Sequence, residues 1–193
     1  MVVFVRPACE QDLAGVVDMY AAAIRAMRGT PEDIDWDLSW HPTAEGLARA
    51  TAAGELLVAV DEAGADDAGE TPLCPASGTP SAILGACVVN GSQEPDYALA
   101  AWPVDAAPSE VATLHLLASA PAARGRGVAR ALIAAAAEAG RARRARALRL
   151  DVFDNNHGAA AAYLACGFVD CGVFTLGYSE GFTHAAHLME LAL

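Results

Sequence analysis

A chain of 193 residues is long enough to bury one substantial core without metal or disulfide support, and short for two domains. Its residues are 54% hydrophobic, much of that alanine, and no apolar run reaches the ~20 residues of a membrane span, so no membrane association is expected. All 12 basic residues are arginine, which excludes a Walker-type phosphate lysine and lysine Schiff-base chemistry, while 24 acidic residues set the net charge at −12.

The charge is lopsided. Residues 1–110 hold 18 acidic residues and 4 arginines, whereas 111–193 hold 6 acidic residues and 8 arginines, all eight between Arg124 and Arg149. One basic zone on an acidic chain suits a small polyanionic ligand and argues against nucleic acid, which needs a broad positive face. The five cysteines (Cys9, Cys74, Cys87, Cys166, Cys171) are odd in number, scattered and free of any C-x-x-C pair. Reduced thiols and a cytoplasmic location are therefore expected, with Cys87 and Cys166 as core packing. The start of the chain lacks the basic segment, apolar core and cleavage site of a signal peptide, so none is expected.

In chain order, Val2 to Val5 reads as a strand ended by Pro7. Apolar residues at Leu13, Val16, Val17, Tyr20, Ala23, Ile24 and Met27 predict an amphipathic helix over 10–27. Residues 29–42 read as a loop in which Glu32, Asp33, Asp35 and Asp37 interleave with Trp36 and Trp40. Thr43 is placed to cap a second helix, stopped by Gly54, and 55–61 and 82–89 predict two strands of a hairpin. Between them, residues 62–80 are Gly, Ala, Asp, Thr, Pro and Ser-rich, the signature of a flexible inserted loop rather than a domain boundary. A polar, proline-punctuated passage over 90–109 carries Tyr97 and Trp102. An apolar strand over 111–118 follows, then a helix over 128–144, a strand over 147–153, a short helix opened by Asn156 and stopped by Gly167, and two closing strands over 168–174 and 187–193. The order β-α-α-β-β-β-α-β-α-β-β predicts a mixed α/β layer, with helices packed on a largely antiparallel sheet, in one domain spanning 1–193.

Between the fourth strand and third helix lies Arg124-Gly125-Arg126-Gly127-Val128-Ala129. Glycines let backbone N–H groups approach an anion, and the helix dipole adds roughly half a positive charge there. A dinucleotide-binding loop is disfavoured. The third glycine position is Arg130, several residues separate strand from loop, and too little chain follows for six parallel strands. One strand later comes a second motif, Asn156-x-x-Ala159-x-x-x-Tyr163-x-x-x-Gly167-Phe168.

With Arg124-x-x-Gly127-x-Ala129, this second motif resembles the GNAT acetyltransferase superfamily over essentially the whole chain in element order, with about 60 residues carrying recognisable motifs. The resemblance implies a splayed central strand pair, helices on both sheet faces, and an acyl-coenzyme A site with acetyl-CoA as acyl donor and no metal. Residues Arg124, Gly125, Arg126, Gly127, Val128, Ala129 and Arg130 would cradle the pyrophosphate. The strand end Leu117, Ala118 and Ser119 would pair with the pantetheine arm, and the Leu117 N–H would polarise the thioester carbonyl. Asn156 would contact the arm or stabilise its loop, and Tyr163, a phenol of pKa ~10, would protonate the departing thiolate. Many members carry a glutamate base where this chain has Thr113, which cannot serve. His115, two residues on and on the same strand face, has an ordinary pKa near ~6.5 suited to the task. Glu110 acting through water, or direct attack by a neutral amine, stay open.

The acceptor implied is a small amine. The acidic segment over 32–40 suggests a cationic one, with Trp36, Trp40, Tyr97 and Trp102 as apolar walls. Alternatives are a catalytically degraded coenzyme A-binding module that senses or docks, and acylation of a protein N-terminus or lysine. The resemblance allows a homodimer, for which the residues themselves give no basis. His184 and His187 are three apart on a strand and point to opposite faces, which argues against a metal pair.

Overall fold

A computed structural model describes residues 3–61, 82–178 and 181–193. The flexible loop expected over 62–80 lies outside the described residues. Strands β1 (Val3–Pro7), β2 (Leu56–Asp61), β3 (Ile83–Asn90), β4 (Val111–Ser119), β5 (Ala147–Phe153), β6 (Val169–Gly177) and β7 (Thr183–Ala192) form one sheet in the order β1-β2-β3-β4-β5-β7-β6. Four helices accompany it: α1 (Leu13–Met27), α2 (Ala44–Ala52), α3 (Val128–Ala142) and α4 (His157–Ala165). The pairing is antiparallel for β1–β2, β2–β3, β5–β7 and β6–β7, and parallel for β4–β5. The predicted element order and the largely antiparallel α/β class both hold. The last strand begins at Thr183, earlier than the expected 187, because Thr183–Ala186 completes a hairpin register with Phe174–Gly177 that apolar periodicity alone does not reveal.

The chain groups into two compact units. The first comprises Met1–Arg28, Asp35–Val88 and Leu116–Ala135, and the second Gly29–Ile34, Val89–His115 and Ala136–Leu193. In the first unit, Val16, Tyr20 and Ala23, at i, i+4 and i+7 of α1, bury one stripe against Leu47 of α2 and Val58 and Val88 of the sheet. Thr43 Oγ1 accepts the Gly46 N–H at 3.0 Å, the cap that starts α2. A buried bidentate pair, Arg6 Nη1 and Nη2 on Asp12 Oδ2 and Oδ1 at 2.6 and 2.8 Å, ties β1 to the turn that opens α1. Cys9 is disulfide-bonded, which corrects the expectation of reduced thiols throughout; Cys87, Cys166 and Cys171 are free. The reason is that a bridge depends on where the fold brings two sulfurs, which spacing along the chain does not show.

In the second unit, Leu176, Ala186 and Leu188 of the closing hairpin pack with Tyr97. Arg149 of β5 donates from Nε to Glu190 Oε2 of β7 at 2.8 Å in a buried pair. The guanidinium also lies over the Trp102 ring, 4.3 Å from its centroid, and the Val104 N–H donates to Glu190 Oε1 at 2.7 Å, so both charges are neutralised and hydrogen-bonded. The β4–β5 register runs only from Val111↔Ala147 to Thr113↔Arg149.

Candidate functional site

The glycine loop belongs to the first unit. A 3-10 turn at Pro121–Ala123 follows β4, Arg124 is extended, and Gly125 and Gly127 adopt φ of 75° and 79°. Among the described residues nothing lies within 4 Å of a Cβ built on either glycine, so glycine is needed there for its left-handed backbone. The first helical bond of α3 runs from the Ala131 N–H to Gly127 O at 3.0 Å. The N–H groups of Val128, Ala129 and Arg130 therefore have no carbonyl behind them in the helix and present its positive end at the loop. Arg126 Nη2 stands 3.3 Å from Asp61 Oδ2, so this arginine is already partnered by a carboxylate.

The seat of this loop is set by Gly85 of β3. A Cβ there would meet Ala118 O and Val128 Cγ1 at 2.7 Å each, and Leu132 Cδ1 at 3.1 Å. Ala120 N–H also donates to Leu84 O at 2.8 Å. Ala118 C=O and Ala120 N–H thus both face β3. Each peptide is planar with its C=O and N–H opposed, so the Ser119 N–H and C=O both face away from β3. Leu116, just before, is a non-glycine residue at φ 56°, a left-handed bulge in β4 of the kind that costs about 1–2 kcal/mol. Its carbonyl accepts the Tyr20 hydroxyl at 2.6 Å.

The second unit carries the other motif. Asn156 Oδ1 accepts the Ala159 N–H at 3.3 Å and caps α4, the role its position before a helix predicts. Asn155 beside it donates to Asp33 O at 2.8 Å and to Pro31 O at 3.2 Å, and the Gly158 N–H donates to Glu32 Oε1 at 3.1 Å. Glu32 is thereby a counter-charge at the start of α4. Tyr163 is 7% exposed within α4, with the Phe168 ring tilted at 5.5 Å. Thr113 is fully buried and its Oγ1 has no hydrogen-bond partner, so the hydroxyl that stands in the glutamate's place is sealed in the sheet.

His115 sits at the end of the second unit's part of β4. Its Nε2 is 3.2 Å from Asn90 Oδ1 and 3.1 Å from Ser92 O. Asn90 Oδ1 also accepts the Ser92 N–H at 2.9 Å, which fixes it as the oxygen. Both of these partners of Nε2 are acceptors, which a proton on Nε2 satisfies.

The aromatic residues separate into two pairs. In the first unit, the Trp36 and Trp40 rings lie 6.2 and 5.8 Å from His41, and Trp36 also meets Tyr20 edge-on at 6.0 Å. In the second, Tyr97 and Trp102 rings are 5.7 Å apart, and the Trp102 Nε1–H donates to Tyr97 O at 2.8 Å. Tyr97 is 2% exposed, and its hydroxyl donates to Asp151 Oδ1 at 2.8 Å while Tyr178 donates to Oδ2 at 2.8 Å. Burial first, and then the Asp151 carboxylate, push both phenols above their ordinary range. Tyr97 thus serves the interior of its unit, where the sequence suggested an apolar wall.

The acidic segment is likewise engaged locally. Asp33 Oδ2 accepts the Gly29 N–H at 2.8 Å, Asp37 Oδ1 accepts the Ser39 N–H and hydroxyl at 2.9 and 2.7 Å, and Arg28 stands 3.8 Å from Asp35 and from Asp37. The arginines of the basic zone disperse too: Arg141 pairs with Glu138, Arg143 donates to Val89 O, Arg146 to Asp105 O, and Arg149 is buried with Glu190. A charge count along the chain cannot see these pairings. It also misses Tyr20 and Asp151, whose partners lie 96 residues and 54 residues away.

The model of the Acetyltransferase (GNAT) family matches residues 36–168. Among solved structures, a GCN5-related N-acetyltransferase from Kribbella flavida is 23% identical, with 99% of this chain and 98% of that one covered at a TM-score of 0.63. Ribosomal-protein-alanine N-acetyltransferase from Brucella melitensis is 21% identical, with 98% and 99% covered and a TM-score of 0.60. The yncA structure from Salmonella typhimurium, with its cofactor acetyl-CoA, is 14% identical, with 100% and 95% covered and a TM-score of 0.62. No curated protein matches the chain.

Proposed function

Because the chain belongs to the acetyltransferase (GNAT) family, we propose that it transfers an acetyl group from acetyl-CoA to the amine of a small acceptor. The observation that carries this reading is the run from Leu116 to Arg130. A strand end with its Ser119 backbone turned away from β3 is followed by two left-handed glycines and the N-terminus of α3. Those parts suit the two ends of one donor: an amide-bearing arm alongside Leu117, Ala118 and Ser119, and a pyrophosphate at Arg124–Arg130.

The roles proposed are these. The amine nitrogen attacks the thioester carbonyl carbon; the C–N bond forms, the C–S bond breaks, and charge developing on the carbonyl oxygen is met by the Leu117 N–H. His115 takes the amine's proton. Tyr163 gives its proton to the coenzyme A thiolate. Asn156 holds the start of α4 in shape. For the acceptor, Trp36 and Trp40 are the proposed apolar surfaces. The local engagement of Asp33, Asp35 and Asp37 makes hydrophobic contact the stronger basis for selection than a fixed positive charge.

Thr113 favours a second reading, a coenzyme A-binding module without turnover, because its buried hydroxyl cannot act as a base where the family usually has a carboxylate. One experiment separates the two. Acetyl-CoA consumption is measured with a mixed panel of small amines and peptides, for the native chain and for Tyr163→Phe. Turnover by the native chain, reduced about 10²-fold or more in the variant with an unchanged KM for acetyl-CoA, supports acyl transfer with Tyr163 as acid. Tight coenzyme A binding without turnover on any amine supports the module. Turnover confined to peptides would move the acceptor to a protein N-terminus or lysine.

A further inference from the structure

The orientation of a backbone N–H is set by whatever holds the carbonyl of the same peptide, because the two are opposed in one rigid plane. The proposed oxyanion donor, Leu117 N–H, shares its peptide with Leu116 C=O. That carbonyl accepts the Tyr20 hydroxyl at 2.6 Å, a short O–H···O bond. Tyr20 is fully buried in the middle of α1, and all three residues belong to the first unit. Leu116 itself sits at φ 56°, a conformation a leucine does not hold unaided, so the peptide that follows it needs an external anchor.

We infer that Tyr20 is a positioning residue: its hydroxyl fixes the Leu116–Leu117 peptide so that the Leu117 N–H points away from α1 and toward the acyl carbonyl of the donor. This rests on the acyl-transfer reading above. The edge contact of Tyr20 with Trp36 at 6.0 Å completes the arrangement, because it packs the phenol ring against the loop that follows α1. Nothing in the periodicity of α1 distinguishes this tyrosine from the other apolar positions on its buried stripe; the hydroxyl does.

The test compares Tyr20→Phe, which removes one oxygen and keeps the ring, with the native chain, and repeats the comparison in a Leu116→Gly background. Glycine adopts φ near +56° without strain, so the bulge there no longer depends on an anchor. In the native background Tyr20→Phe is expected to lower kcat about tenfold to a hundredfold, while KM for acetyl-CoA and calorimetric affinity for coenzyme A stay within about twofold. In the glycine background the same change is expected to cost less than about threefold. An unchanged kcat, an equal loss in both backgrounds, or a loss expressed mainly in coenzyme A affinity each overturns the inference. So does loss of the folded state in both backgrounds by circular dichroism, which would make Tyr20 a packing residue. If Tyr20→Phe unfolds only in the native background, an active double variant within threefold of Leu116→Gly supports it. A native chain that binds no coenzyme A and turns over no amine instead removes the acyl-transfer reading, and this inference with it, before any variant is made.

Discussion

The carbonyl oxygen of Ala118 lies 2.7 Å from the point that a Cβ on Gly85 would occupy, and Val128 Cγ1 is equally near. Three elements meet there: β3, the end of β4 and the first turn of α3. Gly85→Ala must push apart a backbone carbonyl and the residue that begins the helix. A loss of about 1–3 kcal/mol in stability is expected, together with weaker coenzyme A binding and a smaller effect on the acceptor's KM. Calorimetry with coenzyme A and a thermal melt check this. Unchanged coenzyme A affinity would mean that the loop is not seated through Gly85.

Asn90 Oδ1 lies 3.2 Å from His115 Nε2. Asn90→Asp puts a carboxylate at that place, which favours the protonated imidazole and withdraws the base at low pH. The acid limb of kcat/KM is expected to move upward by about one pH unit, and His115→Gln to remove it. A limb that stays in place in both variants excludes His115 as the base and leaves water-mediated transfer.

Asp12 has its carboxyl held below the ordinary 3.8: burial acts to raise it, and the Arg6 hydrogen bond, the Cys9 N–H and the Arg6 charge together outweigh that. A carboxylate depressed in the folded state contributes stability above its unfolded value and loses it as pH falls through the folded one. The melting temperature should therefore drop below about pH 4, more steeply for the native chain than for Asp12→Asn. The variant should also be less stable near neutrality by about 3 kcal/mol, since it leaves Arg6 buried without its counter-ion. Parallel acid limbs for the two proteins would remove Asp12 from the acid response.

The described free thiols should differ in reactivity. Burial pushes the Cys87 thiol up to about 12, leaving roughly one molecule in ten thousand as thiolate at pH 8. Cys171 is also raised, by burial and then by the Glu190 and Asp170 charges, against a smaller opposing effect of Arg149. Mass spectrometry after a timed maleimide pulse should show Cys166 modified first, Cys171 more slowly, and Cys87 only once the chain is unfolded. Early labelling of Cys87 would show that the strand β3 opens in the native state.

Much of this architecture was legible in the chain because it is local. The i, i+4, i+7 stripe of Val16, Tyr20 and Ala23, the caps at Thr43 and Asn156, and the need for glycine at 125 and 127 all follow from a few neighbouring residues. The remainder depends on partners far away in sequence. A run of acidic residues does not disclose that Glu32 answers the Gly158 N–H, and eight clustered arginines do not disclose that Arg149 is consumed by Glu190. Nor does a buried aromatic reveal a role until its hydroxyl is seen on the Leu116 carbonyl. In the candidate site, motif spacing located the glycine loop and the helix that carries Tyr163, whereas the contacts of His115 with Asn90 and Ser92 come from another segment and have no local signal.

The cations on the loop proposed to hold the donor, Arg124, Arg126 and Arg130, are all guanidinium groups, and the chain contains no lysine anywhere. A guanidinium stays protonated at any physiological pH and offers no nucleophilic lone pair to a thioester. A protein that binds a reactive acyl donor risks acylation of its own amines. With arginine in place of every lysine, the chain offers no side-chain amine to a thioester held in the proposed site.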